Sequence, residues 1–167
     1  MKSQTLLTLF FLLTTSVLFS QRDKDEVDPV FKSAFSKYEN KEYSAAYLEY
    51  SNYLMKKPKD ANALYNRGLC AYELKDYKDG ITNFSKSIEL GRKKADGYYS
   101  RGLCNYNIEN YTLAIADFDT AISLKPNYTK ALTFKGACLN ELKKYSEALG
   151  NLNQAIVSDA NYESAYF

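Results

Sequence analysis

The sequence repeats itself at an offset of 34 residues, and that period limits the fold more than any other feature. "RGLCAYELKDY" at 67–77 returns as "RGLCNYNIENY" at 101–111, with no insertion between them. Gly68, Gly102 and Gly136 fall in one column with Ala34 ahead of them, and Tyr43, Tyr77, Tyr111 and Tyr145 fall in another. Three residues on come Ala46, Gly80, Ala114 and Ala148, all small. Tyr50, Phe84, Phe118 and Leu152 follow, then Tyr53, Ser87, Ala121 and Ala155. Four units fit, at 27–60, 61–94, 95–128 and 129–162. A period in this range marks stacked supersecondary units, none of which can bury its apolar face alone.

Within each unit the apolar spacing is helical twice over. In the third, Tyr98, Gly102 and Asn105 share one face of a first helix, and Tyr99, Leu103 and Tyr106 share another. The polar break "NIEN" separates it from a second helix carrying Ala114, Ile115, Phe118, Ala121 and Ile122. Pro126 stops that helix and Pro58 does the same in the first unit, because proline cannot continue the ladder. Arg92 and Ala160 stand at this place in the other units, which predicts less sharp stops. The small columns mark close crossings, where axes about 8–10 Å apart leave no room for large side chains. The aromatic that follows fills the space beside each crossing. The predicted fold is an all-α solenoid of antiparallel helix pairs.

Histidine is absent from the 167 residues, which removes Ser-His and Cys-His pairs and histidine zinc sites. The net charge is +2 with the basic residues scattered, so no footprint for nucleic acid is visible. The glycines follow the period and form no phosphate loop. Asp117 and Asp119 lie two apart on a helix and do not share a face, which makes them a poor acid–base pair. Cys70, Cys104 and Cys138 keep the 34-residue spacing. Neighbouring copies would lie about one helix spacing apart, roughly 10 Å, whereas a disulfide needs Cα atoms within about 7 Å. The thiols are therefore expected to be small packing groups. The acidic run "RDKDEVD" at 22–28 lacks the glycine a calcium loop needs and reads as a solvated linker. No enzyme, metal, cofactor or small-molecule substrate emerges.

The N-terminus reads as an export signal over 1–20: Lys2, then the apolar run Leu6–Phe19, then Ser20 before the cut. That run is short for a membrane span, so none is expected once it is removed. A polar linker occupies 21–26. The leader and the Lys-, Asn- and Tyr-rich style suggest a bacterial envelope, hence the periplasm, the outer-membrane face or the exterior. At the other end, "NYESAYF" (161–167) reads as a turn and then, over 163–167, the start of a fifth first helix, as if the chain continued.

The columns resemble the tetratricopeptide repeat family over 27–162. Departures are Ala34 and Tyr53 in the first unit, and Val30, Leu64, Tyr98 and Leu132 in place of the family's tryptophan. Arg67, Arg101 and Lys135 stand where leucine is commoner. The resemblance implies a right-handed superhelix whose first helices line a concave groove for a protein or peptide partner. Groove candidates are Phe31, Phe35 and Tyr38 in the first unit, Tyr65, Asn66, Leu69 and Tyr72 in the second, and Tyr99, Leu103 and Tyr106 in the third. The fourth adds Lys130, Thr133, Ala137 and Asn140. The lysine–asparagine clamp by which some relatives grip a chaperone's C-terminal carboxylates is not carried over: Phe31 or Tyr65, Phe35 or Leu69, and, in one register, Asp96 occupy its places, and only Asn66 in the first register and Lys130 in the second match it. The expected role is an interaction scaffold in the envelope, or else the N-terminal arm of a larger assembly protein.

Overall fold

The computed structural model describes residues 28–158, and eight helices account for most of them. They pair as α1 (Pro29–Glu39) with α2 (Tyr43–Lys56), α3 (Ala61–Glu73) with α4 (Tyr77–Glu89), α5 (Ala95–Asn107) with α6 (Tyr111–Leu124), and α7 (Thr129–Glu141) with α8 (Tyr145–Ser158). No strand occurs among the described residues. The expected signal, the linker at 21–26 and the tail beyond Ser158 lie outside them.

Each hairpin is closed in the same way. Lys41, Lys75, Glu109 and Lys143, one per unit, adopt a left-handed backbone with φ between 60° and 63°. The amide of the next residue then reaches back five positions, as in Glu42 N to Lys37 O and Asp76 N to Ala71 O, both 2.9 Å. This satisfies carbonyls the first helix leaves unpaired. Asp28 caps α1 by accepting from the Val30 amide, and Asp60 caps α3 by accepting from Asn62 and Ala63. The expectation of a less sharp stop at Arg92 is corrected. Helix α4 ends at Glu89, and Gly91 supplies the stop with φ 98°, a conformation that costs glycine little.

The crossings have a physical cause at atomic scale. A Cβ built on Gly68 would lie 2.8 Å from the Phe84 ring, and one on Gly102 would lie 2.7 Å from the Phe118 ring. Gly136 meets Leu152 at 2.8 Å in the same way. Tyr50, Phe84 and Phe118 are wholly buried at the centres of the first three hairpins. Between units, the contact is cysteine against the small column: a Cβ on Gly80 would lie 2.8 Å from Cys104 Sγ. Cys70 shares a core cluster with Ala46, and Cys138 shares one with Ala114. All three thiols are free, fully buried and unbridged. Burial pushes each up to about 12, so at neutral pH they are protonated packing groups.

Helices stack in chain order, each against the next. First helices of adjacent units also touch directly, α1 on α3, α3 on α5 and α5 on α7, with no comparable contact between second helices. The stack therefore curves with its first helices on the inner side, and that side is the groove.

Candidate functional site

The basic residues at the family's leucine place form a polar ladder between units. Arg67 Nε donates to Asn83 Oδ1 at 2.8 Å, sixteen residues ahead, and its Nη1 reaches back toward Ser51 Oγ at 3.4 Å. Arg101 repeats the pattern, with Asp117 at 2.6 Å ahead and Ser85 Oγ at 3.0 Å behind. Asn105 also donates to Asp117, which is buried. Lys135 pairs backward with Asp119 at 2.7 Å. The two aspartates thus serve different partners in a structural network. Sequence reading noted the three basic residues but not the Ser51–Ser85–Asp119 and Asn83–Asp117–Asn151 columns that flank them at ±16; the same 34-residue slide would have exposed these.

The groove candidates fall into three sets. Phe31, Tyr65 and Tyr99, at one repeat position, are largely absorbed by packing. Phe31 sits edge-on to Tyr50 and Tyr53, at 5.4 and 5.5 Å between centroids. Tyr65 packs on Phe84, and the Arg92 guanidinium lies 3.4 Å above its ring while holding Asp96 through two hydrogen bonds. Tyr99 lies against Phe118, Tyr128 and Phe134. Thr133 completes this position and is buried, its hydroxyl donating to the Thr129 carbonyl.

The second set is exposed in the first unit and half-buried in the others. Phe35 is 48% exposed, and Leu69, Leu103 and Ala137, at the same repeat position, are half-buried. Beside them run tyrosine pairs that close each hairpin: Tyr38 with Tyr43 at 5.5 Å, Tyr72 with Tyr77 at 5.6 Å, Tyr106 with Tyr111 at 5.8 Å. Burial, then the Glu73 carboxylate, pushes the Tyr38 hydroxyl up to about 12, so it remains a hydrogen-bond donor at any physiological pH. The fourth unit has Asn140 instead, exposed, and its Tyr145 is 62% exposed without a ring to close on. The third set is lateral: Lys130 is exposed at the start of α7, and Asn66 is half-buried on α3.

Among the described residues there is no cluster able to hold a metal ion, and no helix is long and apolar enough to cross a membrane. What the arrangement offers is shape and surface: a curved array of helical hairpins with one apolar side chain per unit along its inner face.

Such an array is an α-helical repeat solenoid. A tetratricopeptide repeat model matches residues 36–92 and another matches 95–128, together more than half of the chain. The chain belongs to the tetratricopeptide repeat family. Among solved structures it is similar to the crystal structure of MamA, at 21% identity and TM-score 0.77, over 84% of this chain and 80% of that one. It is similar also to YrrB, described as a TPR protein with an unusual peptide-binding site, at 24% identity and TM-score 0.76, over 88% of this chain and 76% of that one. The first TPR of Spaghetti (RPAP3), bound to the HSP90 peptide SRMEEVD, matches at 22% identity and TM-score 0.61, over 64% of this chain and 84% of that one. These identities speak to fold. A search of the curated proteins found no match.

Proposed function

We propose that this protein is a non-enzymatic scaffold that holds an extended segment of a protein partner in the groove of α1, α3, α5 and α7. The observation that carries the reading is the row Phe35, Leu69, Leu103 and Ala137, one apolar side chain per unit along the inner face, with Phe35 exposed and the other three half-buried. Side chains repeated along a groove suit a partner whose own side chains repeat, and the adjacent tyrosine hydroxyls and amides supply polar contacts to its backbone. Support comes also from the peptide-binding site named for YrrB and the peptide bound to RPAP3. The clamp for an acidic C-terminus is matched only at Asn66 or at Lys130, depending on register, so a chaperone tail is not the proposed partner. The expected leader at 1–20 supports a role in the cell envelope, in the periplasm or at the outer-membrane face.

The test is a pull-down from the envelope fraction with the full chain and with a Phe35→Ser, Leu69→Asn, Leu103→Asn variant. Tyr65 and Tyr99 are left alone because their rings hold the stack together. The expected result is loss of the captured protein with melting within a few degrees of the parent. A partner captured equally by both proteins refutes the groove.

A further inference from the structure

We infer that the edge of the stack where one unit passes to the next is a docking surface for an anionic lipid bilayer, with apolar tips entering the headgroup region and lysines meeting the phosphates. This surface is separate from the groove and stands whether or not the groove holds a partner. Antiparallel hairpins stacked in chain order bring the ends of the second helices and the starts of the first helices to a common edge. Each second helix leaves a large apolar side chain in water there. Met55, Leu90, Leu124 and Val157 are 76%, 42%, 51% and 87% exposed.

Lysines surround these tips. Lys56, Lys59, Lys93, Lys94 and Lys130 are exposed on the same edge, and none joins an ion pair among the described residues. The carboxylates nearby are engaged: Asp28 with Lys57, Asp96 with Arg92, and Asp60 with the α3 cap and the Tyr53 hydroxyl, which leaves Glu89. The helix dipole favours cations at C-termini and disfavours them at N-termini. That accounts for Lys56 at the end of α2, but Lys94 immediately precedes α5 and Lys130 is the second residue of α7. These two sit at the unfavourable pole with no carboxylate to hold them. An anionic surface outside the chain supplies one.

The apolar tips select the kind of anion. Nucleic-acid phosphates or the carboxylates of an acidic peptide make no use of Met55 and Leu124. A bilayer takes such tips below its phosphates, while lysine stems lie along them and carry the charge up to the headgroups. The opposite edge, at the hairpin turns, provides a contrast within the same molecule. Leu74 and Leu142 are 43% and 39% exposed there, but Glu73 and Glu141 directly precede them and offset Lys75 and Lys143. Mixed charge of that kind gives an anionic surface no net attraction.

The chain has no tryptophan, so Leu124→Trp in the full protein is a unique fluorophore on this edge. It is titrated with vesicles of phosphatidylcholine alone and of phosphatidylcholine with about one third phosphatidylglycerol. The expected result is a blue shift of emission on the anionic vesicles, absent on the neutral ones and reduced by high salt. Attachment through the apolar run at 6–19 alone leaves this reporter unshifted. Leu142→Trp, on the opposite edge, is expected not to shift. Adding Lys59→Gln, Lys93→Gln and Lys94→Gln to Leu124→Trp should weaken binding about a hundredfold with melting unchanged, since each cation near an anionic surface is worth about fivefold. No shift on anionic vesicles overturns the proposal, as does an equal shift on neutral ones, an equal shift at Leu142→Trp, or undiminished binding by the lysine variant. A shift produced by duplex DNA or polyglutamate but not by vesicles also overturns it, and assigns the edge to a nucleic acid or an acidic protein.

Discussion

Replacing Gly102 by alanine adds one methyl group in the middle of α5, and two effects of opposite sign compete. Alanine is the better helix former by about 0.5–1 kcal/mol. The new Cβ, however, would lie 2.7, 3.0 and 3.1 Å from three carbons of the Phe118 ring. That ring is fully buried, with Tyr99 and Phe134 centred 5.9 and 6.1 Å away, so it cannot retreat without moving both. Overpacking a filled core costs about 1–3 kcal/mol, which outweighs the propensity gain. The expected net loss is about 1–2 kcal/mol. Gly150 is the control: it lies inside α8, and a Cβ there meets nothing within 4 Å. The same substitution at Gly150 should therefore stabilise by about 0.5–1 kcal/mol. Urea unfolding followed by circular dichroism reads both signs, and a Phe118→Leu background should relieve part of the Gly102→Ala loss. If Gly102→Ala stabilises as Gly150→Ala does, the close-crossing account of the small column is wrong.

Asp117→Ala should cost about 3 kcal/mol in the same assay, because it strands the Arg101 guanidinium and leaves the Asn105 amide unpaired. Asp117→Asn should cost less than half as much, since Asn83 already plays that part for Arg67 at 2.8 Å. Lys75→Gly should stabilise by about 0.5–1 kcal/mol, because φ 63° suits glycine better than a residue with a Cβ. Ellman's reagent should find no reactive thiol in the folded protein and three after denaturation; a protected disulfide would contradict the packing role of the cysteines. Stability should hold up to pH 9 and fall between pH 9 and 12. The unfolded thiols release their protons near 9.0 and the folded ones only near 12, so in that window the unfolded chain binds fewer protons and rising pH favours it. Tyr38, held up to about 12, acts with the same sign above its ordinary 10.0. Unchanged urea midpoints at pH 8 and pH 11 would contradict the burial of these groups.

The sequence by itself determined the architecture, because a period is a property of the chain that no packing detail can hide. Gly68, Gly102 and Gly136 recur where a ring or leucine from the paired helix leaves no space for a Cβ, and Cys70, Cys104 and Cys138 recur where one unit meets the next. Such constraints act at one position at a time and so print directly onto the letters. What only the tertiary structure decided is which partners the side chains of one stripe meet. Tyr65, Leu69, Tyr99 and Leu103 look alike on a helical wheel. All four are half-buried, but Tyr65 is held under Arg92 and Tyr99 among Tyr128 and Phe134, while Leu103 packs on the cluster of Ala114 and Phe118. The partners of the two tyrosines come from the connections between units and from the next first helix, 27 to 35 residues away, and their reach depends on the spacing and curvature of the stack. The ladder of Arg67 and Arg101 also joins across helices: its columns are readable in the sequence, but its hydrogen bonds are not. Repetition fixed where each helix lies, and only the assembled stack fixed what each side chain packs against.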